Sequence, residues 1–350
     1  MKSSLLTLAV LAITFSGSTA AGDVFQAGGD RLVAMQNLDG GWDWPLNDGN
    51  PAAGSAKNTV GPIAMGLAQA YLATGDAGHY TALQAAGGFL LSKTNVFSPS
   101  DGYLAGQLDA VFGGDTYSNH VRDYFYDPLA AGTYDHKGEG TLYDTAGYVQ
   151  RIHDSRHNGG IGNLAAWDIG IGVVGAQSVG ASTIEWIDGT KNEIDLLDAS
   201  GSYDVIGLAG AVYGLAFSSE DFDPEAGEHA EASSLGDLAG ILASYQIDGG
   251  GFAWDAGQVV PGEETVQETA YAVLALNEFD RSGYWSNLLG AASYLTDAQL
   301  ATGGWANYVG GGENNEVTGE AMWGVATVPE PASLALLALA GLAAVRTKRG

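Results

Sequence analysis

The chain has no cysteine among its 350 residues. No disulfide can brace it, and no thiolate zinc site can form. Positive charge is nearly as scarce, with 13 lysines and arginines against 41 acids. So acidic a surface repels phosphate backbones and anionic membranes, which excludes nucleic acid as a partner. No uninterrupted apolar run reaches the roughly 20 residues that span a bilayer. The charge imbalance does not imply disorder, because 46% of residues are hydrophobic and the apolar runs are periodic.

What is present is a phrase that occurs three times: Gln36 to Gly40-Gly41-Trp42, Gln246 to Gly250-Gly251-Phe252, and Gln299 to Gly303-Gly304-Trp305. Gln, three residues, Gly-Gly and an aromatic recur at fixed internal spacing, which signals a repeat architecture. Each Gln ends an apolar helical run, and the glycines allow the left-handed backbone of a C-terminal cap. The aromatic is expected to wedge between neighbouring units. A loop and a second apolar run follow each phrase, so the unit reads helix, turn, loop, helix. Degenerate copies place first helices near 24–36, 79–93, 163–177, 229–246 and 285–299. Second helices are expected to start at Thr59, Asp144, Asp204, Thr265 and Thr318, residue types that cap a helix N-terminus well.

The unit resembles the repeat of the squalene–hopene cyclase and protein prenyltransferase superfamily, the α/α toroids. Tyr294-Leu295, Gln299 and Gly303-Gly304-Trp305 match its motif fully; the other copies keep Leu32 and Leu242 but have Arg31 and Ile241 in the aromatic place. The resemblance covers about residues 24–326. It implies an all-α toroid of about five hairpins, or six if the segment 103–143 completes the ring, as a single domain over 22–326. It also implies that the second helices form the inner wall, with their N-termini gathered at one mouth. The chemistry of the superfamily is not implied. No Asp-x-Asp-Asp is present, and the Asp-Cys-His zinc set is impossible without cysteine.

Both ends carry addresses. Lys2, the apolar stretch Leu5–Phe15 and Ser18-Thr19-Ala20 read as a signal peptide over 1–21. Val328-Pro329-Glu330-Pro331, the apolar run Leu334–Val345, and Arg346, Lys348 and Arg349 resemble the PEP-CTERM sorting signal over 327–350. That resemblance implies an exosortase-type enzyme as partner, transient inner-membrane anchoring through 334–345, and export by a Gram-negative bacterium to the cell surface or beyond. Taking Lys2, Arg346, Lys348 and Arg349 from the bases and Glu330 from the acids leaves a mature charge of −31.

The scarce bases cluster. Eight Lys, Arg and His fall in 117–158, interleaved with tyrosines. One reason for this is an anionic ligand such as a uronic-acid polysaccharide, because Arg grips carboxylates bidentately and sugars stack on aromatic faces. By residue type Tyr148, Arg151, His153 and His157 are the candidate catalytic groups of a lyase or hydrolase. Arg122, Arg156, Asn158, Asp144 and Asp204 are the candidate ligand-binding groups. The alternative is that these bases pair with neighbouring acids. His153 and His157 also have the i, i+4 spacing of zinc ligands but lack an evident third. Asp221, Asp223 and Glu225 form an acidic loop that is a candidate for calcium, although the spacing is not that of an EF-hand. No other cofactor is expected. Two functions follow: a surface-associated binder or scaffold toward extracellular polysaccharide, or an enzyme acting on an anionic glycan.

Overall fold

The computed structural model describes residues 19–47, 49–52 and 54–328. The apolar core of the signal peptide and the Leu334–Val345 run lie outside the described residues. Among the described residues no helix is long and apolar enough to cross a membrane.

Six helices are apolar nearly all round: α2 (Val60–Thr74), α4 (Ser100–Phe112), α8 (Asn163–Ser178), α10 (Asp204–Phe217), α12 (Val266–Asp280) and α14 (Asn315–Thr327). A helix without a polar face belongs to the interior. These six pack side by side in chain order, and α14 returns to α2, so the inner ring is closed. Glycine sets how near they come. A Cβ on Gly66 of α2 would lie 2.2 Å from the Gly319 carbonyl of α14, and one on Gly170 of α8 would lie 2.2 Å from the Gly210 carbonyl of α10.

Amphipathic helices cover the ring: α1 (Thr19–Met35), α3 (Ala77–Ser92), α9 (Ile184–Ile194), α11 (Leu235–Ser244) and α13 (Trp285–Asp297), each lying across two inner neighbours. The third outer position is irregular. It holds α5 (Thr116–Val121), a π-helical turn over 122–126, α6 (Asp127–Ala130) and then α7 (Thr145–Asn158), which packs on α8 and α9. Among the described residues there are therefore six inner helices, and they close into a ring.

Two assignments are corrected. The helix after Asp144 is not part of the inner wall, and 163–178 is inner rather than outer. The reason is composition. α7 carries Gln150, Arg151, His153, Asp154, Arg156 and His157, whereas Asp168 is the one charged residue of α8. Asp101-Gly102-Tyr103, which reads as a worn turn, lies in the first turns of α4, so part of the supposed insertion is ring.

The repeated phrase is a joint. Each Gln side-chain amide donates to the carbonyl of its own glycine and to the next outer helix: Gln36 to Gly40 and Ala82, Gln246 to Gly250 and Asn287, Gln299 to Gly303 and Val24. Gly40, Gly250 and Gly303 have φ of 90°, 93° and 93°, a left-handed backbone that disfavours other residues. Trp42, Phe252 and Trp305 are fully buried, and both tryptophans donate Nε1–H back into their own outer helix, at Leu32 and Leu295. Short antiparallel ribbons follow two of these joints, β3 (Phe252–Ala253) with β4 (Glu264–Thr265) and β5 (Trp305–Ala306) with β6 (Glu313–Asn314). β1 (Tyr134–Asp135) with β2 (Leu142–Tyr143) is the third, leading into α7.

Candidate functional site

The inner helices run parallel, and their six N-termini frame one mouth of the ring, where a cavity of about 920 Å³ opens. Six helix ends supply partial positive charge there. Trp44, Trp167 and Tyr203 offer aromatic surface; Lys57, Lys137, Arg151 and Arg156 bring cationic groups; Tyr103 and Glu316 reach the floor.

Of the nine lysines and arginines among the described residues, four are matched to acids, three line the mouth, and Arg122 and Arg281 lie elsewhere, bonded to Asn119 and to the Thr327 carbonyl. Arg31, Lys93, Arg156 and Lys191 are matched to Glu313, Asp101, Asp168 and Glu220. Lys57, Lys137 and Arg151 line the mouth and have no carboxylate partner among the described residues. The Arg151 guanidinium lies 5.7 Å from the Tyr148 ring centre. Their field is felt by His136 at the same wall: burial first, then Arg151 and Lys137, push its pKa down to about 4, so it is neutral at pH 7.

The acids sit deeper. Trp44 Nε1 donates to Glu316 Oε2 at 2.8 Å, and burial lifts Glu316 to about 7. One turn below it, Glu320 accepts from Tyr271 Oη at 3.0 Å and Gln267 Nε2 at 3.2 Å. Burial first, then the neighbouring Glu316, push the Glu320 pKa well above its ordinary value. Beneath, Tyr103 packs on Trp323 at 4.9 Å, and Trp323 on Tyr213. Tyr213 and Trp323 line a separate hollow at the opposite end, so the lumen is plugged by side chains.

The candidate residues scatter. Arg151 and Arg156 line the mouth, Arg156 bound to Asp168 at 2.6 Å. Tyr148 presents its ring there, but its hydroxyl donates to the Phe97 carbonyl, and burial drives its pKa up. Tyr148 also belongs to an aromatic core around Phe125 with Tyr126, Tyr134 and Trp186, so several tyrosines of 117–158 are packing residues. His153 and His157 face the other way, toward Glu193 of α9. Arg122 bonds to Asn119, Asn158 is exposed at the end of α7, and Asp144 caps α7 through Gly147 N–H. Asp204 is buried, accepts from Ala256 N–H and is lifted to about 6 by burial. None of these four lines the cavity. Asp221, Asp223 and Glu225 are exposed, with Asp221 capping Leu235 N–H, and they do not come together as a ligand set. Lys57 and Glu316 were missed by sequence reasoning. The only signal for the latter was Glu316 and Glu320 at i, i+4 in an otherwise apolar helix.

Comparison with solved structures reaches the same architecture. A protein from Actinoplanes aligns at TM-score 0.50 with 16% identity, over 87% of this chain and 98% of that one. Type II terpene cyclase MstE from Scytonema, in its apo form, aligns at 0.50 with 13% identity, over 87% and 96%. The ring is the type II terpene cyclase fold. A variant of the same cyclase, in complex with geranylgeranyl dihydroxybenzoate as substrate, aligns equally well, at 0.50 and 13% identity over 87% and 96%. At such identities the likeness to the terpene cyclase fold is one of architecture, the squalene cyclase-like α/α toroid. No curated protein matches the chain. Residues 327–349 match the PEP-CTERM protein-sorting motif, which marks the chain for exosortase processing and export to the cell envelope or surface.

Proposed function

We propose that the protein is a surface or extracellular binder of anionic polysaccharide, released by an exosortase of a Gram-negative bacterium, and that the mouth of the ring is its binding site. The observation that carries this reading is the gathering of Lys57, Lys137 and Arg151, free of carboxylate partners among the described residues, at one mouth of a chain whose mature charge is −31. Unmatched cations beside six helix N-termini favour an anion. Arg151 supplies the fork that grips a uronate carboxylate, and the exposed Trp44 supplies a face for a sugar ring. The plugged lumen suits a binder, since a ligand enters the mouth and stops at Tyr103 and Glu316. The test is calorimetric titration of the mature protein with uronic-acid oligomers and with neutral oligomers of equal length. Binding of the charged series alone, weakened by salt, supports the proposal. Equal or absent binding of both series contradicts it.

One observation favours an enzymatic second reading. Glu316, at about 7, keeps a proton near neutrality on the cavity floor, as a general acid for glycoside hydrolysis must. Asp168 would be the second carboxylate, though Arg156 already engages it. Release of reducing ends from a uronate polymer, abolished in Glu316→Gln, would establish this reading. A lyase is less well supported, because the Tyr148 hydroxyl is committed to Phe97. Terpene cyclisation lacks its acid motif, and the lumen that would hold a polyene is filled.

A further inference from the structure

α7 has two working faces. Arg151, Ser155 and Arg156 look into the mouth, while His153 and His157 look toward α9. The two imidazoles are one helical turn apart, with ring centres 4.1 Å from each other. They converge on one carboxylate: His153 Nδ1 lies 2.6 Å from Glu193 Oε1, and His157 Nε2 lies 2.9 Å from Glu193 Oε2. Glu193 is buried, at 4% exposure, and the imidazoles are about one-third exposed.

We propose that His153, His157 and Glu193 form a site for a divalent transition metal of the zinc type. Two imidazole nitrogens and one carboxylate oxygen suit a borderline cation, whereas calcium and magnesium prefer oxygen alone. The three donor atoms lie within 4.8 Å of one another, the one such group among the described residues. Zinc bonds of about 2.0–2.2 Å would set tetrahedral donors about 3.3 Å apart, so the two His–Glu contacts, at 2.6 and 2.9 Å, must open slightly and the widest donor pair, within 4.8 Å, must close by up to about 1.5 Å, a shift that side-chain rotation supplies. The partial exposure of both rings gives the ion a way in and leaves a coordination position for water. A dication there also neutralises a buried carboxylate in a strongly acidic protein. The site joins α7 to α9, so the metal would clamp the helix whose other face presents Arg151 to the mouth.

The proposal is tested on the mature chain stripped by a chelator. Zinc is titrated in competition with a chromophoric chelator, and cobalt serves as a spectroscopic stand-in. One equivalent of zinc should bind, and cobalt should give the intense visible bands of a low-coordinate nitrogen–oxygen site. His153→Ala and His157→Ala should each cost more affinity than the roughly 10–100-fold typical of outer-sphere losses. Equal zinc binding by the wild type and a folded double variant would overturn the proposal. Because the variants can fail to fold, the wild-type cobalt spectrum decides independently: octahedral, water-like bands would overturn the proposal without any substitution.

Discussion

Gln299 Nε2 donates to the Val24 carbonyl at 3.0 Å, joining residues 275 positions apart. The same amide reaches Gly303, so one side chain fastens the last turn to the first outer helix. Gln36 and Gln246 make the equivalent bonds between consecutive units, and Gln299 makes them across the seam.

Gln299→Ala removes both bonds and leaves the Val24 and Gly303 carbonyls without this donor. A loss of about 1–3 kcal/mol is expected. Denaturant unfolding measures it, and limited proteolysis should show the first cuts near the α1–α13 seam.

Gly303→Ala should cost more than its size suggests. The new Cβ would meet the Ala27 carbonyl at 2.3 Å, on a backbone with φ of 93°. Backbone strain and overpacking together predict about 2–4 kcal/mol. Gly54→Ala, with open space around it, is the control and should stay within about 0.5 kcal/mol. Equal effects at the two positions would mean that the joint does not constrain the ring.

The joint was legible because its three chemical demands (a bidentate amide, a left-handed residue, a buried ring) each fix a residue type. The ring beyond it was less so. α4 has no phrase, and its Gly102, which approaches Gly175 of α8, reads in isolation as a turn signal. The order of α7 and α8 does not follow from repeat spacing alone; the polarity of α7 is what sets it outside the ring. At the mouth, Arg151 and Arg156 stood out as local bases. Lys57 and Glu316 did not, because only ring closure brings residues so distant in sequence to one cavity.

Stability should rise as the pH falls from 7 to 5. Burial raises Asp204 to about 6 and Glu268 and Glu316 to about 7, all above their ordinary values. An acid with a raised folded pKa binds its proton more tightly when folded. Its stabilising effect is therefore full below the unfolded pKa and is lost as pH rises toward the folded one. His136, lowered to about 4, and His229, also lowered by burial, oppose this below about 6.5, two groups against three raised acids. Thermal unfolding at pH 5, 6 and 7 measures the slope, and Glu268→Gln with Glu316→Gln should flatten it.

Tyr148→Phe should leave binding at the mouth intact, since its hydroxyl serves Phe97 rather than the cavity. Incubation of the wild type with alginate or pectate should produce no unsaturated-product absorbance. A rise that disappears in Tyr148→Phe would reinstate the lyase.

The most direct measurement is a crystal structure of the mature protein with a short uronic-acid oligomer. Sugar density is expected in the mouth, with a carboxylate on Arg151 and within reach of Lys57 or Lys137, and a ring against Trp44. Sugar bound on the outer helices, or an empty mouth in crystals of protein that binds the oligomer in solution, would contradict binding at the mouth.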